Sequence, residues 1–163
     1  MAENSILEKA SDPHIRFRFL EKSDYSKGHL QILAQLTSVG NVTQAQYETQ
    51  FNALDKNVYK IVVIEDVSKQ SIIGSGTVFM EKKFIHECGK SGHIEDIVVS
   101  SEYRGKNLGL KLISCLTEIG RINKCYKIIL DCSDKNVPFY VKCGYSKTAN
   151  QMVIRFDEPA ARL

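Results

Sequence analysis

The sequence predicts a mixed α/β domain, with a mainly antiparallel sheet flanked by helices. Two observations carry that prediction: β-branched runs of strand length separated by turn residues, and apolar residues recurring at helical spacing between them. Their order (strand, two helices, β-meander, helix, strand, helix, strand) implies one domain, with nothing to suggest a linker or a second. The chain is therefore expected to divide into a polar, poorly ordered lead over residues 1–12 and one domain over 13–163.

Each element has a local reason. Ile15-Arg16-Phe17-Arg18-Phe19 alternates apolar and basic, as a half-buried strand does. Leu30, Leu33, Ala34, Leu36 and Thr37 follow at helical spacing and stop at Gly40. Thr43 is placed to cap a helix bearing Tyr47, Phe51 and Leu54. Val58 to Ile64 and Ile72 to Met80 read as a hairpin turning at Asp66-Val67-Ser68-Lys69, and His93 to Val99 as the next strand. A helix with Leu112, Ile113, Leu116 and Ile119 on one face comes next, then a buried strand over Tyr126 to Leu130. Asn136 to Lys142 is a short helix stopped by Gly144, and strands are expected around Tyr145 and over Met152 to Phe156.

Composition narrows the function. With 163 residues, 43% hydrophobic and 25% charged, the chain can build a core. A net charge of +3, with cations spread among carboxylates, lacks the dense basic stripe of a nucleic-acid binder. It suits a small anionic ligand instead. No apolar run approaches the roughly 18 residues of a membrane-spanning helix, and Met1 to Asp12 lacks the apolar stretch of a secretory signal. The five cysteines, Cys88, Cys115, Cys125, Cys132 and Cys143, form no C-x-x-C and do not cluster with the four histidines. Neither a metal site nor a disulfide framework is expected. The cysteines read as small buried apolar residues in a cytoplasmic protein.

The strongest chemical signal is Tyr103-Arg104-Gly105-Lys106-Asn107-Leu108-Gly109, a basic glycine-containing turn between a strand and a helix. Unpaired N–H groups at a helix start attract phosphate oxygens, and Arg104 and Lys106 add charge. The turn is neither a P-loop nor a dinucleotide G-x-G-x-x-G. A solvated, glycine-capped turn is the plain alternative.

Arg104 to Gly109 resembles the R/Q-x-x-G-x-G/A pyrophosphate loop of the GNAT superfamily of acyl-CoA-dependent N-acetyltransferases. Asn107 stands at that pattern's first glycine, and Asn tolerates left-handed backbone angles. Four further blocks are similar to signatures of glucosamine-6-phosphate N-acetyltransferases: Lys83-Phe84-Ile85-His86, Gly92 to Val99, Cys125 to Cys132, and Lys135 to Tyr140. Leu36-Thr37 before Val39-Gly40, and Ile154-Arg155-Phe156, fit as well. The likeness runs from about Ile15 to Phe156.

The resemblance implies a GNAT fold, acetyl-CoA as co-substrate without a metal, and glucosamine 6-phosphate as acceptor. Ile97, Val98 and Val99 would hold the coenzyme along a strand edge, and Arg104, Gly105, Lys106, Asn107, Leu108 and Gly109 would take its pyrophosphate. Asn136, Phe139 and Tyr140 would lie beside its pantetheine arm. Thr37, Lys83, Phe84, Ile85, His86, Glu95, Asp96, Tyr126, Lys127, Asp131 and Arg155 would surround the sugar. It also implies a homodimer, with Arg155 serving the partner's pocket, and a product that feeds UDP-N-acetylglucosamine synthesis. Some relatives carry a substrate-reaching carboxylate near Ala149-Asn150, and this chain has none.

Chemistry then follows. The sugar amine attacks the thioester directly, Asp131 orients it and accepts its proton with Glu95 assisting, and a backbone N–H near Val98 or Val99 steadies the oxyanion. Tyr140 returns a proton to the departing thiolate. Plainer readings stand beside these: Asp131 as a turn acceptor, Tyr140 as a core aromatic, Lys83 and Lys127 as solvated charges, Arg155 as an exposed edge charge. Strand alternation would turn Cys132 away from Asp131 toward the core, against a covalent acetyl-cysteine route. A protein or polyamine acetyltransferase and a non-catalytic acyl-CoA-binding scaffold are the competing functions.

Overall fold

A computed structural model describes residues 2–156. The chain comprises two compact units, the first ending at Leu130 and the second beginning at Asp131. The first unit holds a five-stranded sheet in the order β1-β2-β3-β4-β5. The strands are β1 (Ile15–Phe19), β2 (Tyr59–Asp66), β3 (Ser71–Lys82), β4 (Lys90–Val99) and β5 (Cys125–Leu130). All neighbours are antiparallel except β4 and β5. This is the mixed, mainly antiparallel sheet that the sequence predicts.

Helices cover both faces. α5 (Leu108–Ile122) buries Leu112, Ile113, Leu116 and Ile119 completely, each worth about 1.5–3 kcal/mol of apolar burial. Glycines let it lie close: a Cβ on Gly76 would meet Leu116 at 2.9 Å and Ile97 at 2.5 Å. On the other face, Ile32 of α2 (His29–Leu33) joins Val63, Ile72 and Val98 in one buried cluster. α3 (Gln44–Ala53) starts at the predicted N-cap, Thr43, which the structure extends to a capping box: its hydroxyl accepts from Gln46 N while Gln46 Oε1 accepts from Thr43 N.

Several expectations need correction. The lead forms a helix, α1 (Ala2–Ala10), with Leu7 buried. Ser11 Oγ ties it to the sheet by accepting from Phe17 N at 2.8 Å, and Glu3 accepts from both Lys60 and Asn123. α2 is shorter than its apolar spacing suggests, because at Gln35 and Leu36 the hydrogen bonds tighten from i−4 to i−3 acceptors. β5 is half-exposed rather than buried, because among the described residues it is the edge strand and pairs only with β4. Cys115 alone among the cysteines is buried, and Cys88 and Cys132 are exposed. β5 ends at Leu130, so strand alternation does not reach Cys132.

The second unit carries a 3-10 turn over Asp134–Asn136 and α6 (Val137–Lys142), which runs out at left-handed Gly144. No strand forms over residues 145–156. Met152, Val153, Ile154 and Phe156 are 92%, 68%, 80% and 95% exposed, and among the described residues this unit offers no strand to pair with them. Among the described residues, no helix is long and apolar enough to cross a membrane, and no group of three or more His, Cys, Asp or Glu could hold a metal ion.

Candidate active site

β4 carries the first half of the site. Val98 faces Ser75 and Glu95 faces Thr77, so Asp96 and Ile97 together oppose Gly76 alone. This is a β-bulge, and Asp96 sits at its turn with a left-handed φ of 53°. The ladder with β5 stops at Ile94↔Leu130, so Ile97, Val98 and Val99 continue with no strand on that side. Backbone polar groups along such an edge can pair with an amide-bearing chain. Val98 is buried in the α2 cluster, so its side chain fixes the strand. Ser100 N donates to Ile73 O at 2.8 Å, and the alternation of an antiparallel ladder then turns the polar groups of Val98 toward β3 and those of Val99 toward the open side. Glu95 and Asp96 are exposed at the same bulge.

The turn after β4 is held from below. Buried Tyr103 donates its hydroxyl to Asp66 Oδ2 at 2.5 Å, which, with the Ser68 hydroxyl, holds that carboxyl well below the usual range. Lys69 and Lys106 lie 5.2 and 5.0 Å over the Tyr103 ring, two ammoniums beside the turn. Gly105 (φ 80°) and Asn107 (φ 58°) both adopt left-handed angles, as a nest of converging N–H groups requires. Asn107 is the N-cap of α5 and its side chain makes no capping bond, leaving the first-turn amides of Leu108 and Gly109 for an anion. Arg104 and Lys106 are exposed, while Leu108 is buried and anchors the helix start. These residues fit a pyrophosphate.

Residues expected around the sugar fall into separate groups. His86 lies in α4 (Ile85–Cys88), a single turn in which His86, Glu87 and Cys88 all take left-handed angles. Its ring meets Tyr126 of β5 at 4.1 Å, and Lys127 Nζ lies 5.7 Å over that same Tyr126. Lys83 is committed elsewhere: Glu81 holds it at 2.5 Å and also bonds His93 Nε2 at 3.0 Å. Phe84 and Ile85 project outward, 97% and 61% exposed. Thr37 is exposed just beyond α2, its N–H bonded to Leu33 O at 3.2 Å.

In the second unit, Asp131 is exposed and accepts from Gln151 Nε2 at 3.1 Å. Asn136 precedes α6 at the N-cap position without a side-chain capping bond, and the Phe139 and Tyr140 rings of the helix meet edge to face at 5.1 Å. Burial, then the Cys132 and Cys143 thiols, push the Tyr140 phenol above its ordinary value, so it holds its proton at neutral pH. That is the state a general acid needs. Arg155 lies in the exposed, strandless segment rather than in a strand.

Sequence reasoning gave no supporting role to Tyr103, Asp66 or Lys69 and missed Glu81 and Gln151. Asp66 and Lys69 looked like ordinary turn residues, and their pairing with Tyr103 spans more than thirty positions of chain. No local spacing signals such a contact.

The Acetyltransferase (GNAT) family profile matches residues 28–145. The chain is 48% identical to glucosamine 6-phosphate N-acetyltransferase 1 of Dictyostelium discoideum, over 91% of this chain and 95% of that one. It is 44% identical to glucosamine 6-phosphate N-acetyltransferase of Candida albicans, over 86% and 95%. The crystal structure of the Arabidopsis thaliana glucosamine-6-phosphate N-acetyltransferase superposes with a TM-score of 0.86 at 43% identity, covering 88% of this chain and 99% of that one. With its bulged β4, its left-handed anion turn and this likeness over most of its length, the chain belongs to the GNAT acetyltransferase family and, within it, to the glucosamine 6-phosphate N-acetyltransferases.

Proposed function

We propose that this protein transfers the acetyl group of acetyl-CoA to the amine of D-glucosamine 6-phosphate. The observation that carries the proposal is 48% identity, over nearly the whole chain, to a relative named for that acceptor. The bulged β4 and the Arg104–Gly109 turn support the coenzyme half.

Acetyl-CoA supplies a thioester carbonyl that a neutral amine can attack without a covalent enzyme intermediate. The β4 edge at Ile97, Val98 and Val99 holds the pantetheine arm through the backbone groups that turn away from β3, with Val98 fixing the strand, and Arg104, Gly105, Lys106, Asn107, Leu108 and Gly109 bind the pyrophosphate. An N–H near Val98 or Val99 donates to the carbonyl oxygen as charge develops there. Asp131 takes the amine proton on a carboxylate oxygen while Glu95 assists. Tyr140 Oη donates its proton to the departing sulfur, and Asn136 and Phe139 line the thioester end of the arm. Thr37, His86, Asp96, Tyr126 and Lys127 orient the sugar. Lys127 supplies a cation with no carboxylate within ion-pair distance among the described residues.

We further infer a homodimer in which Met152 to Phe156 pair with a second copy and Arg155 serves that copy's sugar site. The exposed apolar side chains of this segment support it. The protein works in the cytoplasm, as five free thiols favour, and its product feeds UDP-N-acetylglucosamine synthesis.

Thiol release from acetyl-CoA, followed in parallel with glucosamine 6-phosphate, glucosamine and a lysine peptide, tests the reading. Turnover is expected with the phosphorylated sugar. Turnover with the peptide alone, or with none of the three, sinks it. Sedimentation of Ile154→Asp should show a monomer where the unaltered chain is a dimer.

A further inference from the structure

A second polar cluster lies buried behind β4, and the proposed chemistry does not use it. His29, the first residue of α2, is 5% exposed. Its Nδ1 bonds the Tyr47 hydroxyl of α3 at 2.9 Å, and its Nε2 bonds the Ser75 hydroxyl of β3 at 3.1 Å. Three elements therefore meet on one imidazole. Ser75 is 1% exposed and faces Val98 across the ladder, immediately before the bulge. Gly74 and Gly76 flank it, and a Cβ on Gly74 would come within 3.2 Å of Val98 O.

The far end of α2 is tied as well. Ser101 N, just beyond β4, donates to Gln35 Oε1 at 3.1 Å. α2 is thus pinned at one end to the strand beside β4 and at the other to the turn after it. Thr37 follows directly, hydrogen-bonded back to Leu33.

The charges around the ring are already paired. Asp24, fully buried, accepts two bonds from Arg18, at 2.7 and 2.8 Å. Glu65 takes Arg18 Nε and Lys27 Nζ, each at 2.8 Å. Tyr47 and Ser75 are neutral hydroxyls that can donate or accept, so either tautomer of a neutral imidazole is satisfied. Burial depresses the imidazole to about 4, with Asp24 opposing.

We propose that His29 is a positioning residue for the acceptor: its two hydrogen bonds, to Tyr47 and Ser75, hold α2 so that Thr37 meets the sugar in register with the β4 bulge. The inference rests on the acetyl-transfer reading above. His29 touches no reactant. It fixes the distance between the segment that carries Thr37 and the strand that holds the coenzyme, and it does so as a neutral ring.

The test is a split of kinetic constants in His29→Phe and Ser75→Ala at pH 8. KM for glucosamine 6-phosphate should rise about tenfold in His29→Phe, the equivalent of about one lost hydrogen bond. KM for acetyl-CoA and kcat should stay within about twofold. His29→Gln, which keeps one hydrogen-bonding arm, should recover part of the loss. By NMR the His29 ring should remain neutral at pH 6. An unchanged sugar KM in a folded His29→Phe protein contradicts the proposal, as does a loss spread equally over both KM values and kcat. Should His29→Phe fail to fold, Ser75→Ala, which removes a single hydroxyl, decides by the same split. Failure of the unaltered protein to acetylate the sugar would instead refute the parent reading.

Discussion

Residues 95–109 and residues 131–156 belong to the same proposed enzyme but are built in opposite ways. In the proposed reading the first stretch binds mainly through its main chain, and its side chains lock it: Val98 in the α2 cluster, Tyr103 on Asp66, Leu108 buried at the start of α5. The second stretch offers side chains, Asp131, Asn136 and Tyr140, on a short helix and exposed chain. A coenzyme that is the same at every turnover suits a fixed backbone template. Proton transfer needs individual groups of chosen acidity, and those come from side chains.

The largest expected effect falls on the second stretch. Tyr140→Phe should lower kcat by about 10²–10⁴ while both KM values change little, since a positioned acid acts on the reaction rather than on binding. A drop in affinity without a drop in kcat would show that the ring merely packs.

The frame behind the first stretch should be sensitive to acid. The His29 imidazole, at about 4 in the folded protein against 6.5 ordinarily, stays neutral where the unfolded chain takes up a proton. Its contribution is complete above pH 6.5 and falls away as the pH drops toward 4, by on the order of 3 kcal/mol. Urea midpoints across that window should decline in the unaltered protein and decline less in a folded His29→Gln. Parallel slopes in the two proteins would remove His29 as the cause.

Smaller effects separate main chain from side chain in the anion turn. Gly105→Val forces a branched residue to a φ of 80°, where no neighbouring atom obstructs it, so any effect is conformational. KM for acetyl-CoA should rise about tenfold with kcat near normal. Asn107→Gly keeps the left-handed angle and should leave KM and thermal midpoint nearly unchanged, within a few tenths of a kcal/mol. A large loss there would assign the Asn107 side chain a contact of its own.

The parts of this molecule legible from sequence are those with local causes. Thr43 announces its helix cap, and the hairpin and the Leu112–Ile119 face of α5 follow from short-range period. Asn107 in the glycine position of the turn resolves as the sequence suggests, into left-handed backbone. Parts with distant causes were not legible. α1 looks polar by itself and becomes a helix against β1 and α5 through Leu7, Glu3 and Ser11. Lys83 resembles a phosphate ligand until Glu81 takes its charge. The apolar run from Met152 to Phe156, broken at Arg155, fits a strand, yet a strand needs an edge, and the described residues of the second unit provide none.

Calorimetric titration of acetyl-CoA into an Asp131→Asn, Tyr140→Phe double variant tests the division of labour most directly. With binding vested in residues 95–109 and chemistry in the side chains at 131 and 140, the dissociation constant should stay within about threefold of the unaltered protein while turnover disappears. Weakening of coenzyme binding in step with the loss of turnover would contradict that division.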